Sequence, residues 1–206
     1  MKINNLSRTS VSAISLFSGA GGLDIGAHSA GVQVSAALDN DPDSIATLRA
    51  NDKFKDTEIF QADLADFDAE QFHDIAYAQR PDFTLVIGGP PCQPFSKNGY
   101  WVTNKKRLKH ADPRNLIAQY FRVVAAVKPH AFILENVESL LHPTNHVAVK
   151  AIKDEATLQG YYITTFRLNA ADYGVPQKRK RVFVVGTREP ISNSPPEPTN
   201  CDARTA

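Results

Sequence analysis

VSAISLFSGAGGLDIG, residues 11–26, is the stretch on which the fold turns. Its first seven residues, VSAISLF, form an apolar run suited to a strand. Glycines at 19, 21 and 22 interrupt it, and residues 22–30 (GLDIGAHSA) then read as a helix. A strand, a glycine turn and a helix in direct succession open a βα unit. Parallel strands covered on both faces are written as continuous apolar runs, and helical crossovers connect them.

The same alternation continues outward. Residues 32–38 are a second strand. Asp41 then offers a capping carboxylate, and Pro42 takes the first helical position, so a helix runs to about residue 51. Residues 58–61 are a short third strand and residues 83–87 (FTLVI) a compact fourth. Asp112 and Pro113 repeat the cap signal for a helix reaching about residue 127. Leu116, Ile117, Tyr120, Phe121, Val123, Val124 and Val127 recur on it with the helical period. A fifth strand at 131–134 and a helix at 145–158, stopped by Gly160, lead to two last strands at 161–168 and 181–186. Seven strands in this order predict an open α/β sheet with helices on both faces. Residues 1–10 read as a flexible start, 11–188 as one domain, and the proline-rich 189–206 as a tail or linker.

Composition narrows the function classes. A chain of 206 residues supports one core-forming domain and not two full-sized ones. Apolar residues at 42% and charged residues at 22% exclude global disorder. No apolar stretch approaches the ~20 residues of a membrane span. The start, MKINNLSRTS, lacks the apolar run of a signal peptide. Two cysteines, Cys92 and Cys201, make neither a disulfide framework nor a zinc pattern, and an intracellular, reducing location is expected. The net charge of +1 conceals an asymmetry: residues 39–74 carry 11 acids against 3 bases, and residues 97–188 carry 16 bases against 6 acids. Either both regions are solvated surface, or the second presents a basic face to a nucleic acid.

Ligands of open α/β sheets bind beyond the carboxyl ends of the strands, so the chemistry belongs in the loops that follow them. The glycine loop after strand one lets backbone approach a ligand. Asp39, closing strand two, can accept hydrogen bonds from ribose hydroxyls; Asp63, after strand three, can bind the amino group of an adenine. Residues 88–96 (GGPPCQPFS) display Cys92 on a stiff proline-framed backbone after strand four. A thiolate is the strongest nucleophile among side chains, although most free cysteines are buried and inert. After strand five comes ENV, residues 135–137, whose Glu135 follows apolar residues and is expected to be partly desolvated, favouring a carboxyl that donates. In QKRKRVFVVG, residues 177–186, Arg179 and Arg181 share one face of an extended segment and can converge on an anion or a base edge.

The ordered set FSGAGG, PPCQPFS, DPRN, ENV and QKRKR resembles the DNA cytosine-5 methyltransferase family over about residues 14–186. The resemblance implies an open, mostly parallel seven-stranded sheet of the S-adenosylmethionine-dependent methyltransferase type. It implies S-adenosylmethionine as methyl donor, DNA as substrate, and a flipped cytosine attacked by Cys92. Glu135 would act at ring nitrogen 3, and Arg181 with Arg179 at the carbonyl oxygen. Phe17, Gly19, Gly22, Asp39, Asn40, Asp63, Leu64, Gly89, Pro91 and Ile117 would line the cofactor. Asn40 stands where the family often has an aromatic residue, so weaker stacking on the adenine is expected. Gln93, Ser96, Lys97, Lys105, Lys106, Arg107 and Lys109 would meet DNA from a loop that closes over it, with Tyr100 and Trp101 among them.

The family pattern continues into a target recognition region and a final helix, and nothing in residues 187–206 resembles either. The chain is therefore expected to be the catalytic part of a split enzyme, with a second polypeptide supplying the rest, or an inactive fragment. The open side of the sheet should then expose apolar surface. A tRNA cytosine-5 methyltransferase and a non-catalytic cofactor- or DNA-binding module are the rival readings. A metal site at His142 and His146 lacks further ligands, and none is expected.

Overall fold

The computed structural model describes residues 9–91, 116–191 and 194–199. Its strands are β1 (Val11–Leu16), β2 (Gln33–Asp39), β3 (Glu58–Gln61), β4 (Phe83–Gly88), β5 (Ala131–Val137), β6 (Tyr162–Asn169) and β7 (Lys180–Thr187). They form one sheet in the order β3-β2-β1-β4-β5-β7-β6. β1 pairs in parallel with β2 and β4, β2 with β3, and β4 with β5. β7 runs antiparallel to both β5 and β6, so it alone is reversed.

The helices are α1 (Gly22–Ser29), α2 (Pro42–Arg49), α3 (Glu70–Tyr77), α4 (Leu116–Val127) and α5 (His146–Leu158). Asp41 caps α2 by accepting from Ser44 N–H at 2.8 Å, and the Ser44 hydroxyl, together with that N–H, holds its carboxyl below the usual range. α3, α4 and α5 bury Phe72, Val123, Val124 and Ile152 with Ile14, Leu38, Val86, Leu134 and Val184 on one face of the sheet. A smaller cluster on the opposite face packs Ile25, Ile45, Leu48 and Phe54 against Val34 and Ala37. On that second face Leu85, Ile133, Val185 and Phe183 follow one another across β4, β5 and β7, each only half-buried. They belong to neither cluster.

Two differences from the sequence expectation bear on the site. α3 has no counterpart in the sequence pattern; it is eight residues long and its preceding residue, Ala69, gives no side-chain cap. β5 also outruns the apolar run 131–134. Its ladder with β4 ends at Leu134, but its ladder with β7 continues to Val137. Glu135–Val137 therefore lies within the strand and not in a loop after it. At the chain's end, Thr199 N–H donates to the Asp172 carbonyl at 3.0 Å and the Tyr173 hydroxyl to that of Pro196 at 2.9 Å.

Candidate active site

Where β4 stops, β5 has three residues still to run. That offset opens a ledge at the carboxyl end of the sheet, and Gly89 and Pro90 occupy it. The built methyl position at Gly89 lies 3.1 Å from Glu135 Oε2, so backbone and carboxylate touch closely. The amide of Asn136, a buried residue, donates to the Pro90 carbonyl at 2.9 Å, and its own oxygen accepts from Val137 N–H at 2.9 Å. Asn136 thus fixes the two prolines that precede Cys92. Cys92 itself, with Gln93, Ser96, Lys97, Lys105, Lys106, Arg107 and Lys109, lies outside the described residues.

Glu135 faces Phe183 across the ladder and Val137 faces Arg181, so Glu135 and Arg181 are diagonal cross-strand neighbours on one face. Arg181 Nε lies 2.7 Å from Glu135 Oε1. Both side chains keep about a quarter of their surface exposed, enough to reach a ligand and too little to be freely solvated. The glutamate is thus an ion-paired carboxylate with one oxygen held by a guanidinium and the other turned toward Gly89. Arg179 stands one residue before β7 with its side chain exposed, and its carbonyl accepts from Ala170 N–H at 3.0 Å. The structure brings Arg181 to Glu135, and not Arg179.

On the other side of β1 the glycine loop is tied to β2. Phe17, Gly19 and Gly21 all have positive φ, a sharp reversal that suits glycine and strains Phe17. Gly19 N–H donates to Asp39 Oδ2 at 2.8 Å, and Asp41 N–H to Asp39 Oδ1 at 2.9 Å. Space above Gly19 and Gly22 is open: a Cβ there meets nothing within 4 Å. Asp63 is exposed and accepts from Ala65 N–H at 2.9 Å; Leu64 is buried beside it. Asn40 is exposed next to Asp39, while Ile117 is buried in the core cluster at the start of α4. Pro91 is exposed. Beneath the loop, Ser15, Ser18 and Asp24 form a buried polar group, with Ser18 Oγ donating to Ser15 Oγ at 2.9 Å. Burial raises the Asp24 carboxyl above its ordinary range; the Ser15 hydroxyl and the helical N–H offset this only in part, and Asp39 adds to it.

A carboxylate–guanidinium pair beside the glycine and prolines that lead in sequence to Cys92, and a glycine loop flanked by acids at successive strand ends, share the carboxyl end of one sheet. The C-5 cytosine-specific DNA methylase pattern matches residues 11–204. The chain belongs to that family. It is 40% identical over 196 residues to the Type II methyltransferase M.AquIA of Picosynechococcus sp., covering 91% of this chain and 76% of that protein. It is 40% identical over 205 residues to the Type II methyltransferase M.SacI of Streptomyces achromogenes, covering 91% of this chain and 50% of that one. A solved Escherichia coli prophage protein, assigned as a DNA modification methyltransferase, superposes with a TM-score of 0.67 at 31% identity, over 86% of this chain and 47% of its own. The fold is shared with a Spodoptera frugiperda DNMT2 variant, with a TM-score of 0.67 at 20% identity. The chain thus spans three quarters of M.AquIA and about half of M.SacI and of the prophage protein.

Residues missed in the sequence include Asn136 and Arg122. Asn136 sits inside a quoted motif, and its polarity within an apolar strand was the available signal. Arg122 looks like any charged residue on a helix. Among the described residues no group of His, Cys, Asp and Glu gathers to hold a metal ion. His142 and His146 are engaged locally, with Thr144 Oγ1 and the Pro143 carbonyl. No helix among the described residues is long and apolar enough to cross a membrane.

Proposed function

We propose that this chain carries the catalytic part of an enzyme that methylates carbon 5 of cytosine in DNA. The observation that carries the proposal is the Glu135–Arg181 pair, set beside Gly89 and Pro90 where the chain runs into Cys92. Carbon 5 of cytosine is a poor nucleophile. Addition of the Cys92 thiolate to carbon 6 pushes electron density to carbon 5, while a proton from solvent, relayed by the Glu135 carboxyl, settles on ring nitrogen 3 and Arg181 holds that carboxyl and the ring's carbonyl oxygen. Once carbon 5 has gained the methyl group, loss of its proton to a base and cleavage of the bond between sulfur and carbon 6 would restore the ring and release the cysteine as thiolate. The target base must leave the duplex to reach these groups.

The loop at Gly19 and Gly22 has the open backbone that a nucleoside-bearing donor needs, and Asp39 and Asp63 supply acceptors at the two neighbouring strand ends. These residues fit S-adenosylmethionine: Asp39 at the ribose, Asp63 and Leu64 at the adenine, Phe17 and the loop glycines along it. When bound, S-adenosylmethionine supplies an electrophilic methyl group. The half-buried apolar face made by Leu85, Ile133, Val185 and Phe183 suits a helix from the portion of the relatives' length that this chain does not span. Whether that helix and the target recognition region are on the same or a second polypeptide, the chain needs them for full activity.

DNA carrying 5-fluorocytosine tests the chemistry, because fluorine cannot leave carbon 5 as the proton does. The protein in its natural full extent, supplied with S-adenosylmethionine, is expected to form a denaturation-resistant adduct with that DNA. Cys92→Ser is expected to form none, and Glu135→Gln to form it at least ~100-fold more slowly. An adduct with fluorinated tRNA and none with DNA would reassign the substrate, and no adduct with either would end the covalent reading.

A further inference from the structure

We propose that Arg122 is a positioning residue for the nucleoside end of the methyl donor: from α4 it holds the 62–67 loop in the shape that sets Asp63 and Leu64 for the adenine. The inference deepens the cofactor reading above and rests on it. The loop leaves β3 and enters α3, and its internal bonds are short-range. Ala65 N–H and Asp66 N–H fold back onto the side chain and carbonyl of Asp63, at 2.9 and 3.1 Å. Burial of Leu64 and the bond from Ala62 N–H to the Asp39 carbonyl, at 3.0 Å, anchor the loop on its β2 side and leave the carbonyls of Leu64 and Phe67 to be fixed from α4.

Arg122 provides that fixation. Its Nη1 donates to the Phe67 carbonyl at 3.0 Å, its Nη2 donates to the Leu64 carbonyl, and its Nε donates to Gln119 Oε1 at 2.8 Å. The planar fork of a guanidinium sets three such directions at once, which an ammonium cannot. The side chain is part-buried, so these bonds are shielded from competing water. α4 is in turn bolted to the sheet, because the buried Tyr120 hydroxyl lies between the carbonyls of Val86 and Ile133, at 3.0 and 3.1 Å. Burial drives that phenol well above its ordinary pKa and keeps it a neutral donor. A rigid path thus runs from β4 and from β5, which carries Glu135, through α4 and Arg122 to the adenine-side loop.

Calorimetric titration with S-adenosylhomocysteine, using the protein in its natural full extent, tests this through binding and not turnover. Stoichiometry reports the folded fraction and Kd reports the site. Arg122→Ala is expected to weaken binding about tenfold, with Arg122→Lys recovering part of the loss. Asp63→Ala alone is expected to cost about tenfold, but no more than about twofold in the Arg122→Ala background, since the loop is already misplaced. A Kd for Arg122→Ala within twofold of the wild type, or full additivity of the two substitutions, would overturn the proposal. Asp39→Ala separates the two levels. Wild-type binding that is lost in Asp39→Ala upholds the cofactor reading even if Arg122 proves only structural; absence of wild-type binding removes both.

Discussion

A single methyl group at residue 89 would probe the site directly. Gly89→Ala places Cβ 3.1 Å from Glu135 Oε2, tighter than ordinary contact, so the carboxylate must shift by a few tenths of an ångström. The expected outcome is a fall in kcat of about tenfold, because small misplacement of a reacting group is costly. The melting temperature should barely move, and an unchanged kcat would show that the ledge tolerates the shift. Asp24 makes a different prediction. Its oxygens find no well-formed hydrogen bond among the described residues, and burial lifts its folded pKa above the unfolded value. For an acid shifted upward, stability is greatest at low pH and declines as pH rises from the unfolded pKa, about 3.9, through the folded one. Asp24→Asn should therefore raise the melting temperature at pH 7, by roughly 1 kcal/mol of stability. The gain should fade as pH drops through about 4 and vanish near about pH 3, where the carboxyl is neutral in both the folded and the unfolded chain; a gap that stays constant in thermal scans across this range would refute the prediction. The residue types at the site were legible in sequence: Glu135, Arg181, Asp39 and the loop glycines stood out by chemistry and place. Their pairing was not, because the Glu135–Arg181 contact depends on the register of two antiparallel strands more than forty residues apart.

Among the elements, β1 and β2 announced themselves as apolar runs because core clusters cover both faces of the sheet there, and β4 did so although Leu85 on its second face is only half-buried. α3 gave no such signal: only Phe72 and Ala76 are buried on it, and its polar residues hide the period. The extension of β5 was hidden for a physical reason. Beyond Leu134 it loses β4 as a neighbour and carries Glu135 and Asn136, so its strand character comes from β7 and not from its own composition. β7 also holds a crowded position. A methyl group at Gly186 would meet the Phe132 ring at 2.1 Å, with more ring atoms at 2.4 and 2.6 Å. The ring is fully buried between Phe121 and Tyr161 and cannot swing away. Gly186→Ala should destabilise the protein by about 3 kcal/mol, read as a shift in urea midpoint. A midpoint within error of the wild type would mean that this interface repacks.

Across the whole molecule, charge is sorted along the sheet. The acid-rich residues 39–74 build α2, β3 and the start of α3 at one edge, whereas residues 116–188, with 10 bases against 5 acids, build the half that holds β5, β7 and β6. Net neutrality therefore coexists with a directional field that turns the basic half toward a polyanion. DNA affinity should fall steeply with salt. Replacing Lys105, Lys106 and Arg107 together with glutamine should flatten the logarithmic salt slope by up to ~0.9 for each phosphate that is no longer neutralised. Anisotropy titrations over a series of salt concentrations would measure this, and an unaltered slope would remove these cations from the interface.

The reversed strand has one more consequence. β7 is the last strand among the described residues to be synthesised, yet its place is interior, between β5 and β6. Until it threads into that slot, Glu135 has no guanidinium beside it and the sheet has a gap. A nascent chain therefore lacks the Glu135–Arg181 pair until β7 is inserted, so closing this sheet and forming that pair are one event.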